Sequence, residues 1–131
     1  MKTLTLIAAV FLAGPAVAGD TTPQAQLDRF AAEAGAPADA ARGAAFFAAT
    51  HSGGKPDQPS CSTCHTADPT KPGQALTGKV IEPLAPGANP ARFTDTAQVD
   101  KWFGRNCNSV LGRECSAQEK ADLIAWLITL K

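Results

Sequence analysis

Apolar residues recur at helical spacing in several separated stretches of the chain. Leu27, Phe30 and Ala31 share one face of a helix predicted over 21–34, with Thr22 as its cap and Pro23 at the first helical position. Gly35-Ala36-Pro37 ends it, and Asp39 caps a second helix running to about Thr50 with Ala40, Gly43, Phe46 and Phe47 on its apolar face. Gly43 costs about 1 kcal/mol there relative to alanine, so it is either a tolerated glycine or the point of a close helix–helix crossing. Asp95 and Gln98 are a capping pair for a third helix over about 96–105, whose apolar face carries Val99, Trp102 and Phe103. Asn106-Cys107-Asn108 follows as a loop. Ser116 and Glu119 form a capping box for a last helix, Ala117 to Leu130, with Leu123, Trp126, Leu127 and Leu130 on one stripe. Trp126 is assigned to plain core, against Gly43. No stretch alternates convincingly as a strand, and 66–93 is broken by Pro69, Pro72, Pro83, Pro86 and Pro90. That stretch reads as an irregular wrap, and the fold class is all-α.

The N-terminus changes the picture of where the protein works. Lys2, an apolar core from Leu4 to Ala13 too short to span a bilayer, and Ala16-Val17-Ala18 as a small-x-small cleavage site make residues 1–18 a signal peptide. Residues 19–131 are then a single exported domain, placed in the periplasm. The chain has twelve basic and twelve acidic residues. Losing Lys2 with the signal leaves a slight negative excess and no basic stripe, which argues against nucleic acid and against membrane insertion after cleavage. The composition is poor in large aromatics, with no tyrosine and two tryptophans. A buried cofactor would supply the missing core.

The chemistry is carried by Cys61-Ser62-Thr63-Cys64-His65, which reads C-x-x-C-H, the attachment site of haem c. Each thiol can add across one haem vinyl group, giving two thioether bonds, and His65 is then held beside the iron as proximal axial ligand. A redox dithiol or half of a zinc site is the alternative for such a pair in a cytosolic chain, and the export signal argues against both. Early helices, one C-x-x-C-H and a strongly amphipathic last helix have the layout of a class I cytochrome c. Lys79 and Arg92 could pair with haem propionates, although solvated surface charges are the plainer assignment.

The sixth ligand is the informative gap. The single methionine is Met1, which leaves with the signal, so methionine ligation is excluded in the mature chain. The alternatives are His51, a lysine that sheds its proton, an asparagine amide oxygen, or no protein ligand. His51 reads as a solvated loop residue. Asn106 falls where such cytochromes present a distal ligand, but it reads equally as a helix C-cap. Cys107 and Cys115 are the remaining thiols of an exported protein, eight residues apart, and should form a disulfide.

Arg105-Asn106-Cys107-Asn108-Ser109-Val110, followed by Gly112-Arg113-Glu114-Cys115, strongly resembles the sphaeroides haem protein (SHP) family, oxygen-binding monohaem cytochromes c. So do Pro83-Leu84-Ala85-Pro86, Arg92-Phe93-Thr94-Asp95 and Glu119-Lys120-Ala121-Asp122-Leu123. The resemblance implies a high-spin haem with Asn106 as distal ligand in the ferric state and the family disulfide at Cys107 and Cys115. It further implies that the asparagine leaves on reduction, opening the site to oxygen or nitric oxide, and that a dihaem cytochrome c and a membrane cytochrome b are redox partners. Two rival functions remain at this stage: a plain electron carrier with a permanent sixth ligand, and a haem enzyme acting on oxygen or nitric oxide. No distal catalytic residue is marked by any motif.

Overall fold

A computed structural model describes residues 19–131, so the predicted signal segment lies outside the described residues. The order is α1 (Pro23–Ala34), α2 (Ala40–Ala48), α3 (Ser62–His65), β1 (Gly73–Gln74), β2 (Val80–Ile81), α4 (Thr96–Leu111) and α5 (Ala117–Thr129). The helix starts follow their caps. Thr22 accepts from the Ala25 amide, Asp39 from those of Ala41 and Arg42, and Asp95 from that of Gln98. Ser116 and Glu119 make the full reciprocal box. Asp95 and Gln98 do not reciprocate, because the Gln98 side chain accepts from Trp102 Nε1 instead.

α5 packs against both α1 and α2. Phe30, Phe47, Ile124 and Leu127 are almost wholly buried between them, and each removes enough apolar surface from water to stabilise the fold by about 1.5–3 kcal/mol. α4 joins this core through Phe103, whose ring meets Phe30 edge-on at 5.7 Å. Gln26, buried on α1, donates to Thr96 Oγ1 at the start of α4 (3.1 Å). Asp122 of α5, 4 % exposed, accepts from the Asp39 amide, from Arg42 Nε and Nη2, and from Gln118 Nε2. Burial pushes its carboxyl up, but the Arg42 guanidinium and the amide donors outweigh that and hold it below the usual carboxylate range.

Gly43 lies at a true close crossing. A Cβ there would overlap the carbonyl oxygen of Asp122, so α2 and α5 meet backbone to backbone. Trp126 of α5 packs on Phe47 of α2, with 5.0 Å between the rings. Gly43→Ala should therefore destabilise the protein by about 1–3 kcal/mol in thermal or urea melts. In an open helix the same change would stabilise by about 1 kcal/mol, so the sign of the shift tests the crossing.

Two features depart from the sequence reading. β1 and β2 form a short antiparallel ladder, Gly73 opposite Ile81 and Gln74 opposite Val80, inside the proline-rich stretch. At two residues each, they are too short to show an alternation. More important, α4 does not stop at Arg105. It runs through Asn106, Cys107 and Asn108 to Leu111 and ends at Gly112 in the left-handed conformation (φ 69°). Val99, Phe103, Cys107, Val110 and Leu111 are its buried face, so two further apolar positions outweigh the weak helix propensity of the asparagines.

Candidate haem site

The helical turn that opens at Cys61 is what makes C-x-x-C-H a single chemical unit. Cys61 already has helical dihedrals, and the His65 amide donates to its carbonyl (3.1 Å). Residues i, i+3 and i+4 share a helical face, which puts both thiols and the imidazole on one side. Gly73 supports the turn from behind, since a Cβ there would overlap the Cys64 carbonyl. Cys61, Cys64 and His65 all line a cavity of about 730 Å³, within the usual range of cofactor sites. Burial pushes the Cys61 thiol up to about 11. Burial, aided by the positive charge of Arg92, lowers His65 to about 4, so the imidazole is neutral and able to donate a lone pair at neutral pH.

The rest of the cavity is built largely from apolar side chains, among them Phe47, Leu84, Phe93, Val99, Phe103 and Val110. Phe93 holds φ 60°, which is uncommon for a bulky residue, and its ring lies 6.5 Å from that of Phe103. Trp102 also lines the cavity and is 46 % exposed, with Lys101 and Arg105 over its ring. Arg92 is not the solvated charge the sequence suggested. It lines the cavity, partly buried, with Nε donating to the Pro83 carbonyl (2.8 Å) and Nη2 to that of Glu82 (2.6 Å). Burial lowers its basicity, offset in part by Glu82. Lys79 lines the same cavity. Two thiols and a neutral imidazole on one helical face, opening on an apolar cavity of this size with a cation in its wall, suit a covalently held haem c.

Asn106 opens into the same cavity from α4. It is an amide on an otherwise apolar stripe, flanked by Phe103 at i−3 and Val110 at i+4. It is not a helix cap, because α4 continues past it. Its side chain makes no hydrogen bond among the described residues. The neighbouring Asn108 donates back to the Gly104 carbonyl (2.7 Å), and Asn89, also on the cavity, is engaged with Pro83 and Ala91. Cys107 and Cys115 are joined by a disulfide with Cα atoms 5.5 Å apart, so the bridge ties the last turns of α4 to the start of α5.

His51 does not line the cavity. Nor is it a free loop residue. Its Nε2–H donates to the Phe46 carbonyl (2.9 Å), satisfying an acceptor near the C-terminus of α2, and its ring lies on that of Phe46. His51→Ala should leave the visible spectra unchanged in both oxidation states while lowering stability by about 1 kcal/mol. A change of spin state on that substitution would bring His51 to the iron instead.

The sequence reading missed the cavity role of Phe93, and it ranked the Arg92 guanidinium as a propionate partner only behind a solvated charge. The signal was there in part: Arg92-Phe93 interrupts a proline-rich stretch just before a helix cap, an odd place for an isolated aromatic.

Comparison with known proteins points the same way. Residues 33–127 match a family described as a domain of unknown function, DUF1924. The chain is 63% identical over 122 residues to the cytochrome c-type protein SHP of Cereibacter sphaeroides, covering 93% of this chain and 95% of that one. It is also similar to cytochrome c'' of Methylophilus methylotrophus, 49% identical over 70 residues, covering 53% of this chain and 49% of the relative. The solved structure of oxidized SHP, an oxygen-binding cytochrome c, superposes with a TM-score of 0.83 at 62% identity, covering 85% of this chain and 99% of that one. The oxidized cytochrome c'' structure superposes with a TM-score of 0.68 at 34% identity, covering 83% and 94%. A solution structure of the same cytochrome c'', concerned with haem-ligand detachment, gives 0.69 at 34% identity, covering 82% and 92%.

Proposed function

The chain belongs to the SHP family of c-type cytochromes, and from that premise we propose that it is an exported monohaem protein that binds oxygen or nitric oxide through an exchangeable Asn106. Haem c, when bound, supplies a redox-active iron able to take a small diatomic ligand. Cys61 and Cys64 anchor it through thioether bonds, and His65 offers its imidazole from the same helical face. Asn106 offers a neutral amide oxygen, a hard and weak donor suited to ferric iron and poorly retained after reduction. Its side chain then turns away while α4 stays in place, because the residue sits within a regular helix. Phe103 and Val110 keep the vacated space apolar and exclude competing polar groups.

The observation that carries this reading is the free Asn106 amide, open to the cavity where its asparagine neighbours are already committed. It agrees with the oxygen binding of the SHP relative. Electrons come from partner cytochromes docking near the haem, a dihaem cytochrome c and a membrane cytochrome b in the family pattern, with the periplasm as the site of action. The test is a titration of the reduced holoprotein with carbon monoxide, oxygen and nitric oxide, alongside the ferric spectrum. A high-spin ferric protein that binds all three gases on reduction supports the reading. A low-spin spectrum in both states with no carbon monoxide binding would make the protein a plain electron carrier.

A further inference from the structure

The loop between α2 and α3 carries Gly53-Gly54, which the site as described does not use. These glycines lie against the last turn of α4. A Cβ on Gly54 would overlap the carbonyls of Ser109 and Val110, and one on Gly53 would stand 2.8 Å from the Leu111 carbonyl oxygen. From the other side, a Cβ on Gly112 would overlap the Gly53 carbonyl. The Lys55 amide donates to the Ser109 carbonyl (2.7 Å), an acceptor that the end of α4 leaves without an intrahelical partner. The loop is itself braced. The Gln58 amide donates to the Lys55 carbonyl (3.0 Å), and the His51 amide donates to that of Pro59 (2.7 Å). At its far end, Ser60 and Thr63 exchange hydrogen bonds across Cys61. Hydrogen bonds and the short backbone run from Gln58 to Ser60 therefore connect the helical turn above Asn106 to the turn that holds Cys61, Cys64 and His65.

We propose that Gly54, with Gly53 and the Lys55 amide, is a positioning clamp that sets how far Asn106 reaches into the cavity, by fixing the end of α4 against the loop that enters the C-x-x-C-H turn. The inference rests on Asn106 as the exchangeable donor. Val110 stacks one turn beyond Asn106 on the same helical face, so a displacement at 109–111 reaches Asn106 through a rigid, close-packed helix. Backbone-to-backbone contact needs glycine here, since any side chain at 54 would push the two segments apart. A weak amide donor tolerates little misplacement, so its bond to ferric iron is what such a push would weaken. The ferrous state, in which the amide is already released, is insensitive to it.

The test is a double-mutant cycle on the haem-loaded protein with Gly54→Ala and Asn106→Ala, read by ferric cyanide-binding rate and ferrous carbon monoxide-binding rate. Hydrogen exchange at the Lys55 amide and over 105–112 gives a readout independent of ligand binding. Gly54→Ala should lose protection at Lys55 and raise the ferric cyanide rate by about tenfold. It should leave the carbon monoxide rate nearly unchanged and add nothing in the Asn106→Ala background. An unchanged ferric rate, or the same gain with Asn106 absent, overturns the clamp. If Asn106→Ala alone changes neither the ferric rate nor the ferric spectrum, the assignment of Asn106 fails and the clamp falls with it, a result distinct from a flat cycle around an active Asn106. Should Gly54→Ala not fold, Gly53→Ala takes its place in the same cycle: its Cβ would stand 2.8 Å from the Leu111 carbonyl oxygen and its φ of 98° strains any side chain, so it too should move the loop off α4 and raise the ferric rate only where Asn106 is present.

Discussion

Cys61→Ala combined with Cys64→Ala should leave no pigment covalently attached to the chain. Acid–acetone extraction of the variant should carry all of its haem into the organic layer, whereas the unmodified protein keeps its haem with the precipitate. The effect is all or none because the described residues include no other free cysteine: Cys107 and Cys115 are bonded to each other. Each single substitution should leave one thioether and a shifted ferrous α-band, since one vinyl group stays conjugated with the ring. His65 and the apolar cavity survive the double change, so some haem can still enter reversibly, and the variant separates attachment from binding. Pigment that stays with the protein after extraction would place the attachment elsewhere and undo the assignment of the C-x-x-C-H turn.

What could be read from the sequence were the features whose physics is local. A cap is a side chain meeting an amide two or three residues on, and Thr22, Asp39, Asp95 and Ser116 were all visible as such. The C-x-x-C-H face is likewise a property of one helical turn. The end of α4 was misread for a related reason: Asn106-Cys107-Asn108 has loop-like composition, and local propensity suggested a stop. The actual stop is Gly112, and it is Val110 and Leu111, buried against the rest of the core, that extend the helix to it. What else the sequence left open concerns contacts made outside the local segment. The backbone that Gly43 meets belongs to Asp122, the carbonyls that hold Arg92 are those of Pro83 and Glu82, and Gly54 meets Ser109. A glycine in a helix announces that something comes close without naming it. His51 shows the same limit: a histidine in a polar loop reads as solvated until its Nε2–H is found donating to the Phe46 carbonyl at 2.9 Å.

The extended α4 also changes what the disulfide can do for Asn106. On the loop reading, the Cys107–Cys115 bridge would hinge a mobile segment. On the helix, it braces an element that already has regular structure, closing an eight-residue separation for about 2–3 kcal/mol in the chain-entropy model. Cys107→Ser with Cys115→Ser should accordingly cost stability more than it alters ligand entry. The switching part is reduced to the Asn106 side chain itself.

Asn106→Ala isolates that part. With no side-chain donor at 106, the ferric site should become five-coordinate or water-bound, and stopped-flow cyanide binding to the ferric protein should speed by about a hundredfold, the equivalent of about 2.7 kcal/mol of lost competition. Ferrous carbon monoxide binding should change far less, because reduction already releases the amide. Asn108→Ala is the matched control. It removes an asparagine from the same helix, but one whose amide is tied to the Gly104 carbonyl at 2.7 Å, so the ferric spectrum and cyanide rate should stay at their original values. The contrast between these two positions discriminates a donor from a merely helical asparagine, since both substitutions raise helix propensity and neither opens the core. Equal cyanide rates for the unmodified protein and Asn106→Ala, with an unchanged ferric spectrum, would remove Asn106 from the iron. The path through Gly54 to the end of α4 would then serve the stability of the fold alone.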